Sequence, residues 1–243
     1  MRIDFRLPAL IAVCCAGVIA CGSATTRTVT ANMGGGSHAV TLRGPGGGAT
    51  LTGDTPCPAL DGSSARTTHF AKAPGTCIDA TKSYTATLHT TRGSMVVTLD
   101  AADAPKNVNN FVVLSLYHFY DGTPFFRLVK DFAAQFGDPS THPSNAARFG
   151  YDIPDEFPKA GAYKVGTLAM ANTGQPDSGG AQAFFVTGAA GVSLPASYSI
   201  VGQVTKGLDV LQAINAVPSV QTASNDGAPT EQITIKSIVI AAG

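Results

Sequence analysis

Apolar and polar positions alternate most regularly in two segments, YTATLHT at 84–90 and SMVVTLD at 94–100, which flank Thr91-Arg92-Gly93. Alternation with period two across a short glycine-containing turn predicts a β-hairpin with distinct faces. The period then changes. Ala104-Pro105 opens a segment whose Val108, Phe111, Val112 and Leu116 fall on one helical stripe, predicting a helix over 105–119. Proline sits in its first turn, where a missing N–H costs nothing.

The stretch FYDGTPFFRLVKDFAAQFGD, 119–138, organises the rest of the chain. It predicts a turn at Asp121-Gly122, an aromatic strand, a tight connection at Lys130-Asp131, and a second apolar strand ending at Gly137. Arg127 and Gln135 interrupt the apolar pattern. They fit the wet face of a half-buried sheet. They also fit a hairpin lined by Phe125, Phe126, Phe132 and Phe136 that holds a guanidinium over an apolar pocket. Residues 139–164 read as loop. A strand at Gly166–Ala171 then enters a loop of Gly, Pro, Asn, Asp and Ser, and AFFV at 183–186 leaves it. SIVGQV at 199–204 predicts a further strand. A helix over 207–216 carries Leu208, Leu211 and Ile214, and QITIKSIVIA closes the sheet.

Composition narrows the function classes. The chain has 243 residues, enough for one sizeable core, with 44% hydrophobic and 13% charged residues. Sixteen basic residues balance sixteen acidic ones, and no Lys/Arg run occurs, which removes the electrostatic case for binding nucleic acid. No segment reaches the roughly 18 apolar residues of a spanning helix.

Residues 1–20 read as a targeting leader, with Arg2 and Arg6 ahead of LPALIAVCCAGVIA. Val18-Ile19-Ala20-Cys21 resembles a bacterial lipobox, so Cys21 is expected to carry lipid and to anchor the protein outside the cytoplasmic membrane. Residues 21–53, rich in Gly, Ser and Thr, read as a flexible tether with a reach of about 30 Å. GPGGGA at 44–49 loosely resembles a dinucleotide-binding glycine loop but lacks the surrounding βαβ unit. In the extension at 54–82, Cys57 and Cys77 form an even pair in an oxidising compartment, read as a disulfide around Phe70 rather than two free thiols. None of His38, His69, His89, His118 and His142 is spaced to complete a metal site, so neither metal nor cofactor is expected.

The blocks from Tyr84 to Ala242, taken in order, resemble the cyclophilin-type peptidyl-prolyl isomerases. The resemblance implies a mostly β fold over 83–243: a closed eight-stranded antiparallel barrel capped by two helices, with the N-terminal segments as an extension. It places the catalytic arginine on Arg127. Substrate-binding positions fall on Phe132, Gln135, Ala171, Asn172, Gln182, Leu194 and Tyr198, the last replacing the family's histidine. The pocket phenylalanine is Phe184 or Phe185, because Gly180-Ala181-Gln182-Ala183-Phe184-Phe185 departs from the family pattern. Ala133 stands at a frequent methionine position, and Ser193 at the family's tryptophan.

The implied activity is cis–trans isomerisation of X-Pro bonds in extracytoplasmic proteins, assisting their folding, by a monomer whose partners are flexible proline-containing polypeptides. A proline-peptide binding or chaperone module with little turnover is the alternative. A hydrolase is disfavoured, since the chain has no G-x-S-x-G and no histidine from 143 to 243.

Overall fold

The computed structural model describes residues 26–33, 36–43, 45–138, 150–221 and 227–243. The expected leader and the lipid acceptor Cys21 lie outside these residues. In chain order, β1 (Thr26–Met33), β2 (Gly36–Arg43), β3 (Ala49–Leu51) and β4 (Thr67–Phe70) come first. The hairpin β5 (Tyr84–Thr90) and β6 (Gly93–Leu99) leads to α1 (Pro105–Leu116), β7 (Arg127–Val129) and β8 (Ala133–Phe136). Next are β9 (Thr167–Met170), β10 (Ala183–Val186), α2 (Ala189–Val192), β11 (Ile200–Lys206) and α3 (Leu208–Asn215). Strands β12 (Ser219–Gln221), β13 (Gly227–Pro229) and β14 (Ile235–Ala242) end the chain.

Eight strands form one antiparallel sheet in the order β14-β5-β6-β11-β9-β10-β8-β7. The expected closed barrel is corrected to an open, curled half-barrel, because among the described residues no strand ladder joins β14 to β7. The curl does bring the segments before those strands together. Pro124 and Thr234 form an isolated bridge, Phe125 N donates to Ile233 O at 2.9 Å, and Ile235 N to Thr123 O at 2.9 Å. Proline has no N–H to donate at this seam, which limits a continuous ladder there.

Helix α1 packs on β11 and β14, and α3 packs on β6. The four-residue α2 is a third helix beyond the expected two. Helix α1 ends three residues before the expected 119, since the chain enters the left-handed region at His118 with φ of 54°. At its start, the Glu156 carboxylate accepts from Lys106 N at 3.1 Å and Asn107 N at 2.9 Å, pairing two otherwise orphaned donors.

The N-terminal part differs from a coil. Within the expected tether, β1 and β2 pair antiparallel over their full lengths. Strand β3 pairs in parallel with β4 of the extension. Cys57 and Cys77 are joined in a disulfide with Cα atoms 5.3 Å apart, closing a loop that contains β4. Phe70 at the end of β4 is 1% exposed and belongs to the barrel core.

Candidate active site

Alternation along three adjacent strands divides their side chains between two clusters. Ala134 and Phe136 of β8, Leu168 and Met170 of β9, and Ala183 and Phe185 of β10 point into the main core. Ala133, Ala169, Phe184 and Val186 point the other way, into a second cluster with Tyr163, bordered by Phe132, Ala171, Val192, Leu194, Tyr198 and Ile200. Strand geometry enforces this split, since successive side chains must point to opposite faces.

Parity decides which phenylalanine belongs to the site. Phe185 is fully buried and stacks on Phe136 at 5.7 Å between ring centroids, so its expected place in the pocket is corrected to the core. Phe184 points instead into the second cluster, meeting Tyr198 edge-on at 5.2 Å. Phe125 and Phe136 likewise line the core, not the guanidinium, and Phe126 is buried as well. Of the four hairpin aromatics only Phe132 lies beneath the arginine, with Arg127 Cζ 6.0 Å from its ring centroid.

Register then lines up the polar groups. Arg127 pairs across the ladder with Gln135, Gln135 with Phe184, and Phe184 with Ala169. The result is one row running across the sheet, the arrangement in which cross-strand neighbours interact most directly. Arg127 Nη1 donates to Gln135 Oε1 at 3.2 Å, and Gln135 Nε2 donates to Gln182 Oε1 at 2.9 Å. Both Arg127 and Gln135 are half-buried. Ala171 N donates to Gln182 O at 2.8 Å, tying the end of β9 to the start of β10.

The far wall is held by backbone contacts to the β7–β8 turn. Asp131 adopts a positive φ of 63° at that turn. Its carbonyl accepts from Ala190 N at 3.1 Å and Gly191 N at 3.3 Å, while Thr187 N donates to Phe132 O at 3.2 Å. These bonds fix α2 against the turn, and the chain leaving α2 delivers Leu194 to the cluster. Asn172 sits at the rim, but its side chain braces the loops: Nδ2 donates to Ser197 O at 2.8 Å and Oδ1 accepts from Gly174 N at 3.1 Å.

Two supporting residues carry no motif that sequence reasoning uses. Tyr163 lies in a segment read as loop, yet is 1% exposed. Its hydroxyl donates to Tyr198 O at 2.8 Å and accepts from Tyr198 N at 2.9 Å, pinning the loop that carries Tyr198. Burial, the first cause, pushes this phenol above the usual tyrosine pKa. Asp138, 4% exposed, accepts from Gln182 Nε2 at 3.3 Å. Tyr163 stands in AGAYKVG, where no periodicity marks it, and Asp138 carries no signal beyond its place after the strand. Among the described residues no cluster of three or more His, Cys, Asp or Glu side chains could hold a metal. No helix among them is long and apolar enough to cross a membrane.

The site therefore combines an apolar cluster that includes the small residues Ala133 and Ala169 with a guanidinium beside it and three hydrogen-bonded side chains next to that. It offers apolar contact and charge. The family model described as cyclophilin type peptidyl-prolyl cis-trans isomerase/CLD matches residues 85–240, and the chain belongs to that family. It is 37% identical over 157 residues to peptidyl-prolyl cis-trans isomerase 10 of Caenorhabditis elegans, covering 63% of this chain and 93% of that protein. It is 39% identical over 150 residues to human peptidyl-prolyl cis-trans isomerase-like 1, covering 61% and 87%. Among solved structures, a cyclophilin type isomerase of Cryptosporidium parvum superposes with a TM-score of 0.57 at 28% identity, over 66% of this chain and 99% of that one. A second structure of that protein was determined in the presence of the dipeptide Ala-Pro. The activity is accordingly peptidyl-prolyl cis–trans isomerisation.

Proposed function

We propose that Arg127 drives the isomerisation by stabilising a twisted X-Pro amide whose ring sits in the notch of Phe132, Phe184, Leu194 and Tyr198. The observation that carries this reading is the row Arg127–Gln135–Phe184, which puts the one cation of the row beside the apolar cluster. A planar amide has its nitrogen lone pair delocalised, and twisting it costs about 18–20 kcal/mol. Once twisted, the prolyl nitrogen becomes a hydrogen-bond acceptor. A guanidinium N–H aimed there binds the transition state better than either planar isomer, and that difference is what lowers the barrier. Uncatalysed X-Pro bonds isomerise in tens of seconds. Turnover of about 10–1000 per second requires roughly 4–7 kcal/mol of such stabilisation.

The test is an exchange or protease-coupled isomerase assay on Arg127→Ala and Arg127→Lys, expected to lose at least about tenfold in kcat/KM with thermal unfolding unchanged. Lysine is expected to fail because it lacks the planar fork. Unaltered turnover in Arg127→Ala would overturn the assignment of the guanidinium and leave the family membership intact.

The substrates of this reading are X-Pro bonds in flexible segments of extracytoplasmic proteins. Two features support that location: the lipobox-like Val18-Ile19-Ala20-Cys21 and the Cys57–Cys77 disulfide, a linkage that persists in oxidising compartments. Cys21 would then carry the acyl chains that hold the protein at the membrane. Mass spectrometry of the detergent-extracted protein is expected to find Cys21 as a lipidated N-terminus, lost in Cys21→Ala. An unmodified Cys21 inside an intact N-terminal peptide would refute the anchor.

A further inference from the structure

The three side-chain bonds beside the notch form a chain with a direction. Arg127 Nη1 donates to Gln135 Oε1, Gln135 Nε2 to Gln182 Oε1, and Gln182 Nε2 to Asp138 Oδ2. A glutamine amide can turn over and exchange its donor and acceptor ends with little change in shape. An arginine has only donors to offer, and a carboxylate only acceptors. With a donor-only group at one end and an acceptor-only group at the other, a single orientation of both amides satisfies all three bonds. We propose that Asp138 is a positioning residue for the isomerase reaction: acting through Gln182 and Gln135, its carboxylate sets the sense of this relay, so that Gln135 presents oxygen to Arg127 and holds the guanidinium at the notch.

The backbone supports a built relay. Gly137, just before Asp138, has φ of +91°, and a Cβ there would lie 2.5 Å from Ala181 O. Only glycine tolerates both conditions. Its close approach to the chain at Ala181 brings the end of β8 within reach of Gln182. Two further bonds hold that segment from the core side: Tyr120 Oη donates to Ala181 O at 3.0 Å and Asn110 Nδ2 to Gly180 O at 2.8 Å. Charge at both ends of the chain strengthens the terminal bonds and polarises the middle one. Replacing Asp138 by asparagine keeps the shape but allows a donor at the buried end. Gln182 can then invert, Gln135 with it, and an NH2 group is turned toward the guanidinium. The inversion misplaces Arg127 without changing the notch.

The inference rests on the catalytic assignment of Arg127, and the experiment separates the two. Asp138→Asn is expected to lower kcat/KM for an X-Pro peptide about tenfold, mostly in kcat, with an unchanged unfolding temperature. In a Gln135→Ala background, where the relay is already cut, the same substitution is expected to change kcat/KM by less than about twofold. Equal losses in both backgrounds would mean that Asp138 acts by another route and would overturn the relay. So would an unaltered Asp138→Asn enzyme while Arg127→Ala is impaired. A silent Arg127→Ala would instead remove the assignment on which the relay depends. A measurement on the unmodified protein guards against a variant that does not fold. The side-chain NH2 groups of Gln135 and Gln182 should exchange with solvent more slowly than that of the exposed Gln175, and uniformly fast exchange at both would overturn the relay.

Discussion

The barrel and the extension before it are held by different kinds of interaction. Inside the curled sheet, rings such as Phe111, Tyr120, Phe125, Phe136 and Phe185 are fully buried and in mutual contact, so apolar burial dominates. Between residues 45 and 82 only Phe70 and Ile78 reach that core as fully buried apolar side chains. Leu51 and Cys77, partly buried, pack against the same core, and polar bonds add to the attachment. Asn109 of α1 accepts from Cys77 N at 2.7 Å and donates to Gly75 O at 2.9 Å, and Tyr117 Oη donates to Pro56 O at 2.9 Å. Thr67 N donates to Tyr117 O at 2.9 Å, and Arg66 Nε to His118 O at 3.1 Å. The disulfide confines the loop that presents these groups. Non-directional burial fixes the barrel as one unit, whereas the extension joins a smaller apolar contact to directional bonds from a few side chains. The two should therefore respond to different perturbations.

The largest expected effect is in the barrel. Phe185→Ala empties a fully buried site and should cost about 3–5 kcal/mol, a fall in unfolding temperature on the order of ten degrees. Turnover per folded molecule should survive, because Phe185 faces away from the notch. Phe184→Ala should do the reverse, losing isomerisation out of proportion to stability. Calorimetry and the isomerase assay on both variants check this. Lost activity at unchanged stability in Phe185→Ala would return that residue to the pocket and undo the parity assignment.

The same contrast explains how much was legible in the sequence. The alternation in YTATLHT and AFFV and the helical stripe from Val108 to Leu116 are products of apolar burial, and the corresponding elements stand within a few residues of their expected bounds. The resemblance marks Arg127, Phe132 and Gln135, and the β7–β8 hairpin brings the three side chains together. The choice between Phe184 and Phe185 was not legible, because neighbouring phenylalanines are equivalent until strand register assigns their faces. Failure to close the sheet depends on how residues 122–125 meet 233–235, a contact between distant segments that local pattern does not encode. The strands at 26–43 lie in glycine-rich sequence that reads as linker. Tyr163 and Asp138 reach residues distant in the chain through hydrogen bonds, which leave no periodic trace.

The smallest expected effect belongs to the extension and depends on pH. His118 Nε2 meets Gly62 O at 2.8 Å, and Nδ1 meets Asp121 Oδ2 at 2.9 Å. Both neighbours are acceptors, so both ring nitrogens must carry protons for the two bonds to form, and only the imidazolium does. The bond to Gly62 O, and after it the one to Asp121, raises the His118 pKa above its usual value, against burial and the nearby Arg66 cation, which lower it. A folded-state pKa above the unfolded one contributes stability that is fully present below about pH 6.5 and lost as pH rises through the raised value. The barrel has no such dependence built into its aromatic core. Amide exchange at Ala49 and Thr67, which donate to Arg66 O and Tyr117 O, should therefore speed up beyond its intrinsic rise as pH climbs past about 6.5, while that of β5 and β6 does not. In His118→Gln the extra acceleration should vanish, since no proton is released. If wild type and variant gave the same profile, the contact at Gly62 would not be what holds the extension, and the polar attachment would have to rest on the bonds at Asn109, Tyr117 and Arg66.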